Sequence, residues 1–429
     1  MTTRFLLAPF CCVCLLYAAP GPAADPQVGT PGGPPQRAWF PKAPPLPEPQ
    51  GQVIRVDNVE QLFQAAGDVK AGGTILLADG QYMMPRYFEL RTDNVTMRSA
   101  SGDRDKVVLD GARSQHGELV GITACSGVTI ADLTIQNIKH NGFKLNSDKN
   151  VQQVTIYNCV IHNIWQRGVK GVRVPQSHPA VRPPANCRVQ YCLFYNDRPK
   201  RFTDDPADTP QNFGGNYVGG MDVMYADRWT ISDNVFIGIR GRTGGARGAV
   251  FLWHETQDCV VERNVIVDCD SGICLGNSYR PEEIKVHCRR CVVRNNFVTR
   301  APENGILADY TEDCVIAQNT VHDPASRLQR LIRLVHDNPG LLVANNLLSG
   351  PPMRIETDSS VRFQDNVTRE LTTSFVSPQE GNLHLKEAVP GVVDLGKFIP
   401  QAAEDIDRQP RRDPCDVGAD EQAAPDSLK

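Results

Sequence analysis

Short runs of alternating apolar and polar residues recur through the second half of the chain, and each run returns to an asparagine. The segments TIYNCVI, TISDNVFI, VVERNVIV, VVRNNFV, VIAQNTV, LVANNLL and VRFQDNV align on Asn158, Asn234, Asn264, Asn296, Asn319, Asn346 and Asn366. Within them Ile156, Ile231, Val261, Val293, Ile316, Val343 and Phe363 fall where a strand's period of two sends side chains to one face. Counting Tyr191 of RVQYCLF as a member of the column, the repeat interval runs from 20 to 43 residues. The shorter intervals suit one coil of a parallel β-solenoid, and the longer ones imply insertions on that frame. The asparagines are expected to stack at a turn, each amide bonded to those above and below. Tyr191, and Leu133 in TIADLTI, interrupt the ladder towards its N-terminal end.

A second strand follows each of these and begins near a glycine: GFKLN, GVKGV, GMDVM, AVFLWHE, GICLGN, GILADY, LIRLVHD and MRIETD. If its second residue points inward, the outward row reads Lys144, Asn146, Lys170, Asp222, Met224, Phe251, Trp253, Cys274, Leu307, Asp309 and Arg333. Lys144, Lys170 and Asp222 become vertical neighbours, and two stacked lysines repel unless something anionic lies beside them. The largest insertions, 173–186 and 196–219, flank these coils, as insertions that wall a cleft do. The second carries Arg198, Lys200, Arg201, Asp204 and Asp205, and the glycine-rich stretch 238–248 places Arg240, Arg242 and Arg247 ahead of Trp253 and His254.

A solenoid grows by stacking, so 429 residues imply one long domain rather than two or three compact ones. Residues 1–24, with Arg4 before an apolar run and small residues at Ala23 and Ala24, read as a signal peptide for secretion or periplasmic export. Its removal takes the formal net charge from −4 to −5, which leaves no electrostatic footprint for nucleic acid. No further run suggests a membrane span, and a monomer is expected. Residues 25–50, rich in Pro and Gly, read as a flexible spacer. Cys259, Cys291 and Cys314 each precede a ladder asparagine by five positions and are expected to stack in the core as small hydrophobes; Cys159 and Cys192 are expected to be neighbours in adjacent coils. Cys288 and Cys291 make only one C-x-x-C pair, too little for a zinc site.

The solenoid opens with NVEQLFQAAG, an amphipathic helix capped by Asn58 and ended by Gly67, followed by GGTILLADGQY. Together these resemble the N-terminal cap and first coil of the pectin-lyase-like right-handed β-helix superfamily. DIDRQPRRDPCDVGADE, residues 405–421, resembles the closing segment of its secreted bacterial members. The resemblance implies an all-β, right-handed parallel β-helix over 51–400 with an N-terminal capping helix, and a closing segment and tail over 401–429. It implies a carbohydrate-active protein whose partner is a polysaccharide, here an acidic one. The W-x-D-H and R-x-P-x-x-R segments of the pectate lyases are absent, as are the N-T-D, G-H-G and R-I-K segments of the polygalacturonases and the R-H-G loop of the chondroitinase-like members. No catalytic set transfers residue by residue.

Cleavage of a uronic acid by β-elimination needs a cation to neutralise the C6 carboxylate and a base to take the C5 proton. Lys144 or Lys170 fits the base, Arg240, Arg242 or Arg247 the neutraliser, and His254 an alternative acid or base. Trp253 is expected to stack on a sugar ring, with Asn146, Arg173 and Tyr225 as further substrate contacts. A hydrolase would instead pair Asp222 with Asp268, Asp270 or Asp309. Asp268 and Asp270 in VDCDSG fit a turn, or calcium as a cofactor. A non-catalytic carbohydrate-binding protein on the same frame is the third reading.

Overall fold

The computed structural model describes residues 34–174 and 180–422; the expected signal peptide lies outside them. Three long sheets of twelve, eleven and ten strands run the length of the described chain. Every pairing within them is parallel and joins strands one coil apart, as in Ile156↔Val189, Val189↔Ile231 and Ile231↔Val261. The chain is a right-handed parallel β-helix, all-β except for the helix Val59–Asp68 and a few single 3-10 turns. Asn58 caps that helix by accepting from the Gln61 backbone N–H, and Leu62 and Ala65 turn into the apolar core beside the first coils. No described helix is long and apolar enough to cross a membrane.

The asparagine column runs through the interior of a corner. The Nδ2 of Asn264 donates to Asn296 Oδ1 at 3.0 Å, that of Asn296 to Asn319 Oδ1 at 2.9 Å, and that of Asn319 to Asn346 Oδ1 at 3.0 Å. Each amide also donates to a strand carbonyl of the coil before, Ile231 O, Val261 O and Val293 O respectively. The register corrects the alignment at two coils. Ile156 and Val189 share the Ile231 row, so Cys159 and Cys192, not Asn158 and Tyr191, stand in the ladder column, and the Cys192 N–H donates to Asn234 Oδ1. Asn158 and Tyr191 occupy the position just before it. There Asp132, Asp233, Arg263, Asn295, Gln318, Asn345 and Asp365 also take φ between 47° and 60°. One left-handed residue per coil turns the chain at this corner, a conformation that costs an L-residue about 1–2 kcal/mol.

All eleven described cysteines are buried free thiols; Cys291 N–H donates to Cys314 Sγ and Cys159 N–H to Cys192 Sγ across adjacent coils. Residues 37–50 carry no helix or strand, yet they are fastened down: Phe40 is buried, Tyr157 Oη donates to Pro44 O, and Arg98 donates to Pro47 O. The spacer reading therefore fails in its flexibility for this stretch, because an aromatic anchor and two carbonyl contacts hold it. The C-terminal segment folds back along the outside of the eleven-stranded sheet. Phe375, Leu383, Val392 and Ile406 join Phe40 over Val160, Leu193, Val265 and Phe297. It does not cover the last coil, where Ile355 and Phe363, in line with core residues Leu334 and Val343, are 53% and 47% exposed.

Asn296→Ala removes donors and acceptors from both neighbouring coils while leaving their partners buried. It is expected to cost about 3 kcal/mol, read as a lower urea midpoint at unchanged slope.

Candidate functional site

The outward face of the ten-stranded sheet carries the charged row. Its register stacks Lys144 on Lys170, Lys170 on Asp222, Asp222 on Phe251, Phe251 on Cys274, Cys274 on Leu307 and Leu307 on Arg333. Asp222 is the hub. Arg167 Nε donates to its Oδ2 at 2.7 Å, Trp253 Nε1 donates to its Oδ1 at 2.9 Å, and Lys170 Nζ lies 2.9 Å from Oδ1. Both Arg167 and Asp222 are 1% exposed. Burial alone would raise the Asp222 pKa, but the charges of Lys170 and Arg167 outweigh it and hold the carboxyl well below its usual range.

An inserted loop walls this hub. Lys200, fully buried, binds Asp205 and Asp208, each at 2.9 Å, and donates to Tyr217 O, which stiffens residues 200–217. The Tyr217 ring then lies 3.9 Å from the Arg167 guanidinium carbon. On the same face the Trp253 indole stacks on Phe251, centroids 4.9 Å apart and 24° between planes. Arg247 projects from the loop before this strand, its guanidinium near the Phe213 ring and with no carboxylate or carbonyl partner among the described residues. The residue is exposed as a whole, but desolvation of its guanidinium and the charge of Arg167 push its pKa down.

A family model described as the right handed beta helix region matches residues 118–348, more than half of the chain and the whole row from Lys144 to Arg333. The chain belongs to the right-handed β-helix family. Among curated proteins no relative matches. Solved structures with a similar course include pectate lyase Pel9A, 12% identical over 84% of this chain and 90% of its own, with a TM-score of 0.48. Others are an alginate lyase from Paenibacillus sp. (12%, 74% and 99%, TM-score 0.43) and the tailspike protein of E. coli bacteriophage HK620 (14%, 77% and 60%, TM-score 0.49). Family membership rests on the sequence match and on the coils themselves, not on these alignments.

This β-helix protein brings together only part of the residue set expected from sequence. Lys144 and Lys170 do stack, but their repulsion is relieved internally: Lys144 lies 2.8 Å from Glu118, as Lys170 lies on Asp222. Asn146 donates to Thr123 Oγ1 and Tyr87 Oη, a structural tie. Arg242 donates to Gly214 O and rests on Phe202, joining two loops. Arg240 leaves its Nε buried without an acceptor. Arg173 pairs with Glu283 at 2.6 Å. Tyr225 and His254 sit not in the outward row but at the left-handed corner after it, with φ of 57° and 50°. Arg167, Glu118 and Tyr217 went unread. Arg167 stands one residue before the glycine taken as the strand's start, and the other two lie where periodicity gives no signal.

The paired-carboxylate arrangement fails on geometry. Asp268 binds Arg300, Asp270 accepts the Gly241 and Ala246 backbone N–H groups, and Asp309 binds His336 and Ser278. Leu307, two residues before Asp309, is three strands from Asp222, about 14 Å at the usual strand spacing. A retaining or inverting pair needs roughly 5–9.5 Å. Asp268 and Asp270, turned to different partners, do not converge on a cation. Among the described residues, Asp407 and Asp420 of the closing segment meet His384 of the strand Asn382–Leu385, with ligand atoms within 4.8 Å of one another.

Replacing Asp222 with Asn strips the counter-charge from buried Arg167, an expected loss of about 3–5 kcal/mol at neutral pH. A carboxyl whose folded pKa is depressed contributes stability that is complete above its unfolded value of about 4. That contribution fades as the pH falls below it. The stability gap between the native chain and Asp222→Asn should therefore narrow between pH 5 and pH 3, as read by denaturant titration at each pH, roughly in step with that unfolded value.

Proposed function

We propose that this β-helix protein is an exported carbohydrate-active enzyme, a polysaccharide lyase that cleaves uronic-acid-containing chains by β-elimination. The observation that supports this most is the hub itself. Two cations, Arg167 and Lys170, bind the single carboxylate of Asp222, and Arg247, near enough to feel the charge of Arg167, has no acid of its own. The surplus of positive charge lies on the same sheet face as the Trp253 indole, which is backed by Phe251. A uronate residue presents the complementary pair of features, a carboxylate and an apolar ring face.

In this reading Arg247 takes the C6 carboxylate and spreads the charge that develops as the C5–H bond breaks. Arg167 holds its place in the hub with both its charge and its Tyr217 contact. Lys170 in its free-amine form is the base: it removes the C5 proton and becomes the ammonium, the C4–O bond to the leaving chain breaks, the leaving oxygen takes a proton from water, and a C4–C5 double bond remains. Asp222 orients the Lys170 side chain, pairs with the ammonium that forms, and is too deeply enclosed to touch substrate. Lys144, tied to Glu118 one coil away, offers a neutral ion pair whose polar atoms can meet the hydroxyls of a neighbouring sugar. The hub is pre-organised, so none of its cations must be recruited at the moment of reaction.

Incubation with polygalacturonate, alginate and hyaluronan should raise the ultraviolet absorbance of the conjugated unsaturated product on one of them. Lys170→Ala should lower kcat by about 10²–10⁴-fold and Arg247→Ala by about 10²–10³-fold. New reducing ends without new absorbance would sink elimination, and silence in both assays would point to binding without cleavage.

A further inference from the structure

Beside the hub, both ring nitrogens of buried His254 have no hydrogen-bond partner, and the buried Tyr225 hydroxyl faces only the Arg173 guanidinium, outside good hydrogen-bond geometry. The residues are only 5% and 4% exposed, and their rings are 6.3 Å apart. Buried polar atoms are almost always satisfied in native proteins, so these atoms at one place mark where another molecule donates and accepts. The chemistry of that molecule can be narrowed. Burial, reinforced by the charge of Arg173, pushes the His254 pKa down to about 4, so the imidazole is neutral near pH 7. A neutral imidazole offers one N–H and one lone pair, and a phenol offers a donor and an acceptor. This pair suits an uncharged hydroxyl-bearing group, and the cation beside it, Arg173, is already matched by Glu283.

The position of the pair ties it to the groove. His254 directly follows Trp253 and meets the indole edge-on at 3.8 Å, and the Tyr225 N–H donates to His254 O across the coils. The same indole donates to Asp222, so one side chain borders both the hub and the pocket. Ile284, Val174 and Met224 complete an apolar surround. Arg173, just past one strand, reaches Glu283 on the loop that follows a strand three coils on, so the ion pair spans the two coils that carry Tyr225 and His254. Both partners are about half exposed, where an ion pair adds little stability and opens readily.

We propose that Tyr225 and His254 form a subsite that recognises hydroxyls of the sugar next to the uronate, with the Arg173–Glu283 pair as its cover. The identification of the occupant as part of a uronate chain rests on the lyase reading; the demand for an uncharged hydroxyl-bearing group does not. The subsite separates two tasks along one groove: charge is read at the hub, and hydroxyl placement is read beside it. A chain bearing a substituent on that hydroxyl would be rejected, because the imidazole and phenol would stay unpaired.

The test uses the mature chain carrying Lys170→Ala, labelled with ¹⁵N-histidine, with the His254 ring signals assigned by comparison with His254→Gln. Trigalacturonate, trimannuronate and the neutral cellotriose are added in turn. Movement of the His254 signals with a uronate trimer is expected, together with about tenfold weaker binding in Tyr225→Phe at unchanged Tm. Movement with cellotriose alone would support the subsite and overturn the uronate reading. If no saccharide moves the signals and Tyr225→Phe binds every trimer as its parent does, the pocket holds only buried water and the proposal falls.

Discussion

Parallel register, coil upon coil, is the constraint on which the rest of this molecule depends. A strand slipped by one residue would turn every core side chain outward, and the asparagine column opposes such a slip with directed bonds. Each amide from Asn234 to Asn346 accepts from the coil before it and donates to the coil after it. The ladder ends where Cys192 and Cys159 take over the column, and there the thiols are packed among aliphatic neighbours. With the register held, the identity of each residue's vertical neighbour is fixed, and that alone sets Lys170, Asp222 and Phe251 in one line.

The three sheets divide the work. The eleven-stranded sheet has an apolar outer row, Val160, Leu193, Val235, Val265 and Phe297, and both described ends of the chain lie across it. The twelve-stranded sheet carries ion pairs such as Arg294–Glu262, and Arg263–Asp233 lies at the corner beside it. The ten-stranded sheet carries the charged hub on its outer face. Its insertions are spent on stiffness: the buried Lys200 bound to two aspartates shapes a loop that would otherwise be a long irregular excursion.

At the hub the balance of charge is unequal by design of the neighbours. Burying Asp222 is unfavourable by itself, and only the joint presence of Arg167, Lys170 and the indole N–H makes it stable as an anion. In return the anion holds two cations and an aromatic plane rigid. A fixed array of this kind stabilises developing negative charge better than mobile surface lysines could, because no reorganisation is needed.

Much of the fold was legible in the sequence, since strand parity and a recurring asparagine act over distances of a few residues and repeat along the chain. The outward row Lys144, Lys170, Asp222, Phe251 was read from that parity and matches the register found. What periodicity could not reveal was whom each charge would meet. Glu118 neutralises Lys144 and Arg167 completes the hub through contacts between coils 26 to 55 residues apart. Tyr225 and His254 were legible as polar residues near the groove, but their place at a left-handed corner, and the bareness of the imidazole nitrogens, depend on how three coils and one loop pack. The order of residues determined the coils, because local alternation needs no distant partner. The tertiary structure alone decided the site, because hydrogen bonds and ion pairs are set by distance in space and not by spacing along the chain.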